Sequence, residues 1–242
     1  MKKYLFAIAL FTAHMAAVSQ TVNIHFKNGT QIQYPSIKID YVDFSANPST
    51  PALTPGQVVD LGLSVYWASS NVGANTPESY GNYYSWGETN SHSYYNTTNY
   101  SFYDKNKQEY INIGQIISGT EYDAATVNLG SDWRIPTKEE MEELINKCTW
   151  VWGNIGDIYG YTVTGKNGNS IFLPASWSKS GGFITYLDSY VFLWTATHSN
   201  QTGEGEKAYG LEAGEVPPRI YPKLRYVGCP IRPVTSNPNA SK

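Results

Sequence analysis

The first regular pattern along the chain alternates hydrophobic and polar residues at the spacing of a β-strand. Val22 and Ile24 alternate with polar residues, and Ile32 and Tyr34 do the same after a turn at residues 27–29. A three-residue loop places Ile24 opposite Ile32 and Val22 opposite Tyr34, so that all four side chains share one face. It also gives the glycine that ends the turn the left-handed position of a bulge. The pattern therefore predicts a short antiparallel hairpin.

The same parity argument predicts a second hairpin further along the chain. Tyr161 and Val163 precede a Lys-Asn-Gly turn at residues 166–168, and Ile171 and Leu173 follow it. A three-residue loop pairs Val163 with Ile171 and Tyr161 with Leu173. We therefore expect the chain to use one turn geometry twice.

Two helices are predicted between these hairpins. Thr137 and Glu140 have the spacing of a capping box, in which each side chain bonds the other residue's backbone amide. The hydrophobic residues that follow have the spacing of one buried helical stripe: Met141, Leu144, Ile145 and Cys148. A shorter helix is expected after Asp123 as N-cap, with Gly130 just past its end.

The order of these patterns divides the chain into five segments. We assign residues 1–19 to a signal peptide, 20–45 to a β-hairpin unit and 46–57 to a linker that contains three prolines. Residues 58–235 are expected to form the main domain, because about 180 residues can support one core. Residues 236–242 form a polar tail.

The leader assignment rests on a basic start, a short hydrophobic run and a small-residue cleavage site. Lys2 and Lys3 precede the run 4–18, and we place cleavage after Ser19. No cysteine follows the run, so we do not expect a lipoprotein, and the run is too short for a membrane span. The pattern predicts a secreted protein, either periplasmic or extracellular.

Charge and composition narrow the class of partner. The chain has 17 basic and 20 acidic side chains, and loss of the leader's two lysines makes it more acidic. This balance argues against nucleic-acid or anionic-membrane partners. The chain is 14% aromatic but only 15% charged, a mixture that suits antiparallel sheets with long ordered loops.

The chain contains two cysteines, Cys148 and Cys229. In a secreted protein an even number of cysteines favours a disulfide, so we expect Cys148 to pair with Cys229. The alternative is that both are free thiols, since a buried cysteine also serves as a small hydrophobic residue.

Five sequence blocks resemble one known family when taken together and in order. They are VDLGLSVYWASSNVGA, YGNYYSWGET, YDAATVNLGSDWRIPTKEEMEEL, NGNSIFLPA and VGCPIRPV. This order resembles the Fibrobacter succinogenes major paralogous domain, which is common in secreted proteins of Bacteroidota. The resemblance covers residues 58–234. The family is similar to the C-type-lectin-like fold group, which also contains the formylglycine-generating enzymes.

The resemblance implies an α+β fold of C-type-lectin-like type, with a twisted antiparallel sheet, two helices and long loops. In this chain the small β-hairpin unit would precede it. A cysteine on a helix commonly pairs with one in the last strand of such folds, which agrees with Cys148 and Cys229. The sequence departs from the family at Met141, where an aromatic residue is usual, and in the run 193–197. The family has no settled general activity.

The chain lacks clear signs of the chemistry found in this fold group. The Glu-Pro-Asn, Gln-Pro-Asp and Trp-Asn-Asp triplets of calcium-dependent sugar binding are absent. A disulfide-bonded Cys229 would not act as a nucleophile. The histidines are isolated in sequence, which gives no support to a metal site or a catalytic triad. Glu88 is interpreted as a turn carboxylate that accepts backbone amides rather than as a general acid. We therefore predict no catalytic residues, no metal and no cofactor.

The aromatic residues are the best candidates for binding. Trp67, Trp86, Trp133 and Trp194 are expected in the core. A Gly- and Ser-rich loop at 176–187 carries the predicted ligand-binding residues, which are Trp177, Phe183 and Tyr186. The alternative location is the Tyr-rich stretch that holds Tyr94, Tyr95 and Tyr100.

Together these features predict a secreted or surface-associated, non-catalytic binding module for a glycan or a surface protein. The alternative is a structural or assembly subunit, with an exposed sheet edge of the 20–45 unit as its docking element. A hydrolase is the third hypothesis. Exposed aromatic residues would favour glycan binding, a large flat apolar patch would favour assembly, and two facing carboxyl groups would favour the hydrolase.

Overall fold

The computed structural model describes residues 21–25, 31–35, 56–185, 189–199, 205–214 and 216–240. The chain falls into two units, residues 1–51 and 52–242. The predicted leader, most of the predicted linker and Tyr186 lie outside the described residues.

In the first unit, strand β1 (Thr21–His25) pairs antiparallel with β2 (Gln31–Pro35). Ile24 lies opposite Ile32, and Val22 lies opposite Tyr34. The register predicted from the alternation of hydrophobic residues is therefore confirmed.

The second unit contains the remaining described strands and both described helices. In chain order they are β3 (Val58–Val59), β4 (Tyr66–Ala68), β5 (Tyr103–Asp104), β6 (Glu109–Tyr110), α1 (Ala124–Leu129), α2 (Lys138–Lys147), β7 (Thr149–Ile155), β8 (Ile158–Thr164), β9 (Ser170–Pro174), β10 (Ser178–Ser180), β11 (Phe183–Thr185), β12 (Val191–His198), β13 (Lys207–Ala213), β14 (Arg219–Leu224) and β15 (Val234–Thr235). The strands form sheets β15-β4-β3, β5-β6, β7-β8-β9, β10-β11 and β12-β13-β14, with antiparallel pairing throughout. The predicted α+β class is confirmed.

Both predicted helix starts are confirmed in detail. The Glu140 amide donates to the Thr137 hydroxyl at 3.3 Å, and Oε2 of Glu140 accepts from the Thr137 amide at 2.8 Å. Asp123 caps α1 by accepting from the amides of Ala125 and Thr126. Its other oxygen accepts from two further amides, so one buried carboxylate ties α1 to the segments on both sides of it. Burial raises the pKa of Asp123, and these hydrogen bonds oppose that rise.

The second hairpin also has the predicted register. Val163 lies opposite Ile171 and Tyr161 opposite Leu173 in the β8-β9 pair. Gly168 ends the turn with a φ of 88°, a left-handed conformation that glycine adopts without strain.

Two large hydrophobic clusters form the core of the second unit. In the first, Met141 and Leu144 of α2 pack with the inner faces of β8, β9, β12 and β13. The second joins Trp86 and Trp194 to α1 and to the segment around Cys229. Trp67, Trp86, Trp133 and Trp194 are each at most 1% exposed, which confirms their predicted place in the core.

The expected disulfide between Cys148 and Cys229 is absent, because both cysteines are free thiols in this structure. Cys148 ends α2 and packs, half-buried, against the first hydrophobic cluster. Cys229 is fully buried in the second cluster. The helical spacing correctly pointed Cys148 toward the core, but the two thiols pack into different clusters.

A buried arginine connects distant parts of the second unit. Arg232 is 0% exposed and donates to Asn71 Oδ1 and to the carbonyl oxygens of Ala68, Ser69 and Phe172, at 2.7 to 3.1 Å. These acceptors are all neutral. Burial therefore lowers the pKa of Arg232 to about 9, and its hydrogen bonds join the chain after β4 to β9.

Candidate functional site

The predicted binding loop at 176–187 is in large part a hairpin. Ser178–Ser180 pairs with Phe183–Thr185, and Gly181 and Gly182 form the turn. The hairpin is joined to the rest of the unit by Lys179, whose amide donates to the Gly228 carbonyl at 2.7 Å. The Lys179 ammonium also lies 4.2 Å from the centre of the Tyr83 ring.

The structure brings this hairpin into contact with the Tyr-rich stretch that was the alternative location. The Tyr95 amide donates to the Gly181 carbonyl at 2.8 Å, and the Gly181 amide donates back to Tyr95 at 2.7 Å. Tyr94 lies beside both turn glycines and is 49% exposed. Tyr95 and Tyr100 are buried, so of the three tyrosines only Tyr94 offers its ring to a ligand.

Of the three predicted binding residues, the structure describes the side chain of Trp177 alone. Its backbone has a φ of 48°, which is unusual for a tryptophan. The ring lies 4.6 Å from the Tyr190 ring, and the Lys223 ammonium lies 4.6 Å from its centre. Phe183 lies in β11, and its side chain, like the whole of Tyr186, is outside the described part of the chain. Binding by these residues stays a prediction.

A group of exposed aromatic residues on the β7-β8 hairpin was not predicted. Trp152 lies opposite Tyr161, with ring centres 4.9 Å apart. Tyr159 lies on the same face, since it is two residues from Tyr161 along the strand. The Trp152 and Tyr159 rings are within 18° of parallel, with centres 6.4 Å apart, and are 40% and 47% exposed. We call Trp152, Tyr159 and Tyr161 the aromatic ledge.

The ledge is attached to the core at its inner end. The Tyr161 hydroxyl donates to the Gly214 carbonyl, and the Tyr161 ring contacts Trp150 edge-on. The Trp150 indole donates to the Leu144 carbonyl of α2 at 3.3 Å. The opposite face of the hairpin exposes Val151 and Ile155. Neither β7 nor β8 contains a charged residue.

The sequence contains a signal for the ledge. In TWVWGNIGDIYGYTVT, two tryptophans and then two tyrosines alternate across a short turn. The second hairpin predicted from the sequence begins at Tyr161, so the prediction gives Trp152 and Tyr159 no partner. The alternation does not show that the turn end of the hairpin is exposed.

A separate pocket of about 250 Å³ lies beside Glu88. Its walls include Glu88, His92, Ser101, Phe102 and Tyr122, and Glu121 is also part of the lining. Glu88 accepts from the Ser101 amide at 2.9 Å, in line with the prediction of a turn carboxylate, and from the Ser101 hydroxyl at 2.6 Å. The sequence did not predict that residues from three separate segments would enclose a pocket around it.

No three His, Cys, Asp or Glu side chains converge on a possible metal position within the described ranges. Neither of the two described helices is long and apolar enough to cross a membrane.

Comparison with protein-family models, with curated proteins and with solved structures gives no match for this chain.

Proposed function

We propose that this protein is a secreted, non-catalytic binding module that recognises neutral glycans through the aromatic ledge. One observation carries the proposal: Trp152 and Tyr159 expose nearly parallel rings on one face of a hairpin without charged residues in its strands. The apolar C–H faces of a pyranose ring stack well on such surfaces. Aromatic side chains also give a large contact area for little loss of rotamer freedom.

The attachment of the ledge supports binding without rearrangement. Tyr161 is held by its hydroxyl hydrogen bond and by Trp150, and Trp152 packs edge-on against Tyr161. A ligand therefore meets rings whose positions are already set by the core, which lowers the entropic cost of binding.

We also propose a C-type-lectin-like fold and a secreted location for this protein. The five ordered sequence blocks support a C-type-lectin-like domain, and the antiparallel sheets with two described helices are compatible with it. The basic and hydrophobic leader supports secretion.

A hydrolase is the second candidate, because Glu88 and Glu121 line the same pocket. The contacts of Glu88 favour the non-catalytic alternative. One of its oxygens accepts two hydrogen bonds from Ser101, the other lies 2.9 Å from His92 Nε2, and the residue is only 6% exposed. These contacts fit a structural carboxylate, which accepts hydrogen bonds, better than a general acid, which must donate a proton to the glycosidic oxygen.

The proposal is tested by screening the purified protein on a glycan array and then titrating the best neutral oligosaccharide. We expect Trp152→Ala to weaken binding about tenfold or more, and to cost about 1 kcal/mol or less of stability, as for a cross-strand pair. Tyr221→Ala is the matched control, because Tyr221 is similarly exposed, at 43%, on β14. A Trp177→Ala, Tyr186→Ala double variant tests the loop predicted from the sequence.

The outcomes separate the candidates. Loss of binding in the Trp152 variant alone supports the ledge, whereas loss in the Trp177 and Tyr186 variant alone moves the site to the β10-β11 hairpin. An assembly role would be favoured if the protein binds no glycan but self-associates, and if the Val151→Ser variant does not self-associate. Hydrolysis of an aryl glycoside by the protein, and loss of that activity in the Glu121→Gln variant, would support the hydrolase.

A further inference from the structure

The Glu88 pocket is built from three separate parts of the chain. Glu88 and His92 come from one loop, Ser101 and Phe102 from the segment before β5, and Glu121 and Tyr122 from the turn before α1. Its volume of about 250 Å³ is several times that of one water molecule. The space is therefore large enough for a small organic ligand.

Glu88 is buried in the wall of this pocket without a full set of partners. Oε1 accepts both of the hydrogen bonds from Ser101. Oε2 has no hydrogen-bond partner, and its one close polar neighbour is His92 Nε2 at 2.9 Å, which forms an ion pair with it only when the histidine is protonated. The side chain of Glu88 is 4% exposed and that of His92 is 34% exposed, so the histidine is the solvent-accessible member of the pair.

The charges around the pocket are unbalanced. Among the described residues, its lining contains two glutamates, neither lysine nor arginine, and one histidine, His92, which is positively charged only when protonated. A buried carboxylate is costly unless it is paired with a cation or fully hydrogen-bonded. A positively charged group that enters the pocket would therefore gain from Glu88 and Glu121 together.

The aromatic residues in the pocket lining favour an organic ammonium group as the cation. Phe102 and Tyr122 meet edge to face, with ring centres 5.3 Å apart and planes at 90°. Ring faces attract organic ammonium groups by cation–π interaction. A primary ammonium also has three donors, which can reach a carboxylate oxygen, a hydroxyl and a second carboxylate.

We propose that this pocket binds a small molecule that carries a protonated primary amine. The amine displaces the His92 ring from Oε2 of Glu88 and donates to that oxygen, Glu121 supplies the second negative charge, and Phe102 and Tyr122 contact the carbon skeleton. This site is separate from the aromatic ledge and does not depend on the glycan proposal.

The test is a calorimetric titration of the whole protein at pH 7 with three probes: glucosamine, glucose and n-butylamine. Glucosamine and glucose differ only in the amino group, so the ratio of their affinities measures the contribution of the positive charge. Binding of n-butylamine shows whether an amine binds without a sugar ring. We expect glucosamine to bind at least tenfold more tightly than glucose, as hydrogen bonds to charged groups imply. Glu121→Gln and Glu88→Gln should each weaken amine binding about tenfold.

Glu109→Gln is the matched control, because Glu109 is an exposed glutamate on β6 outside the pocket lining and its loss changes the net charge equally. Glu121 is exposed, so its variant is informative even if Glu88→Gln does not fold. Equal affinities for glucosamine and glucose, or equal losses in Glu109→Gln and Glu121→Gln, would overturn the proposal. Amine binding that persists in Trp152→Ala would show that the pocket acts independently of the ledge.

Discussion

Tyr95 and Gly181 exchange two backbone hydrogen bonds across 86 positions of sequence, at 2.8 and 2.7 Å. This bridge places the β10-β11 turn beside Tyr94, so two stretches that looked like alternative binding sites form one surface. The Tyr95 ring also contacts His92 edge-on, at 5.9 Å between centres. Through Tyr95 that surface is connected to the wall of the Glu88 pocket.

The capping box of α2 should contribute measurably to stability. Replacing Thr137 by Ala removes the acceptor for the Glu140 amide and should cost about 1 kcal/mol in urea unfolding. Glu140→Ala should cost more, because Glu140 also receives two hydrogen bonds from Arg134, at 2.8 and 2.6 Å. Equal costs for the two variants would mean that the Arg134 pair contributes nothing.

Arg232 should be far more important for stability than an exposed arginine. Arg232→Ala leaves four buried acceptors without their donor and should cost about 3 kcal/mol or more. Arg219→Ala is the control, because its pair with Glu212 is 51% exposed on the arginine side and should contribute about 1 kcal/mol or less. Thermal unfolding of both variants measures the difference. A similar small loss in both would contradict the interpretation of Arg232 as a structural connector.

Stability should fall in mild acid because of His198. Its Nε2 donates to the Gly205 carbonyl, and burial, assisted by nearby Arg225, lowers the pKa of His198 below its ordinary value of 6.5. The unfolded chain then takes up a proton at a higher pH than the folded protein does. The contribution of His198 is therefore fully present above pH 6.5 and is lost progressively as the pH falls below that value.

The measurement is urea unfolding between pH 7.5 and pH 5, at intervals of half a unit. His198→Gln keeps a donor for the Gly205 carbonyl but does not titrate, so its stability should vary less with pH over this range. An identical pH profile in the variant and the parent protein would assign the dependence to other groups.

The two cysteines should react as free thiols of unequal accessibility. Burial raises the pKa of both, and that of Cys229, which is 0% exposed, to about 12. Iodoacetamide should therefore label Cys148 slowly in the folded protein and Cys229 only after unfolding, since the thiolate is the reactive form. Mass mapping without reductant checks this result. A denatured protein with no alkylatable thiol would contradict it.

The features that were predicted correctly from the sequence mostly depend on residues that are close together in the chain. Caps depend on residues three positions apart, and a hairpin register depends on parity across one turn, so Thr137, Asp123 and the β8-β9 register could be deduced directly. The four core tryptophans followed from their size and hydrophobic character.

The features that the sequence did not predict depend on packing between residues that are distant in the chain. The aromatic ledge lies toward the exposed turn end of its hairpin, and alternation along a strand does not reveal which end of a hairpin is exposed. The Glu88 pocket needs three segments to meet, and the expected disulfide failed because its cysteines pack into different clusters. Each of these features depends on contacts between distant residues, for which the sequence offers no local signal.

The β15-β4-β3 sheet has a consequence for how this unit can be combined with others. Strands β3 and β15 are the first and last described strands of the second unit, and both pair with β4, through Val59 and Val234 opposite Trp67. Strands β3 and β15 therefore lie about 10 Å apart, twice the spacing of neighbouring strands. A unit whose entry and exit are this close can be spliced into a surface loop of another protein, or repeated in tandem, without unfolding its host.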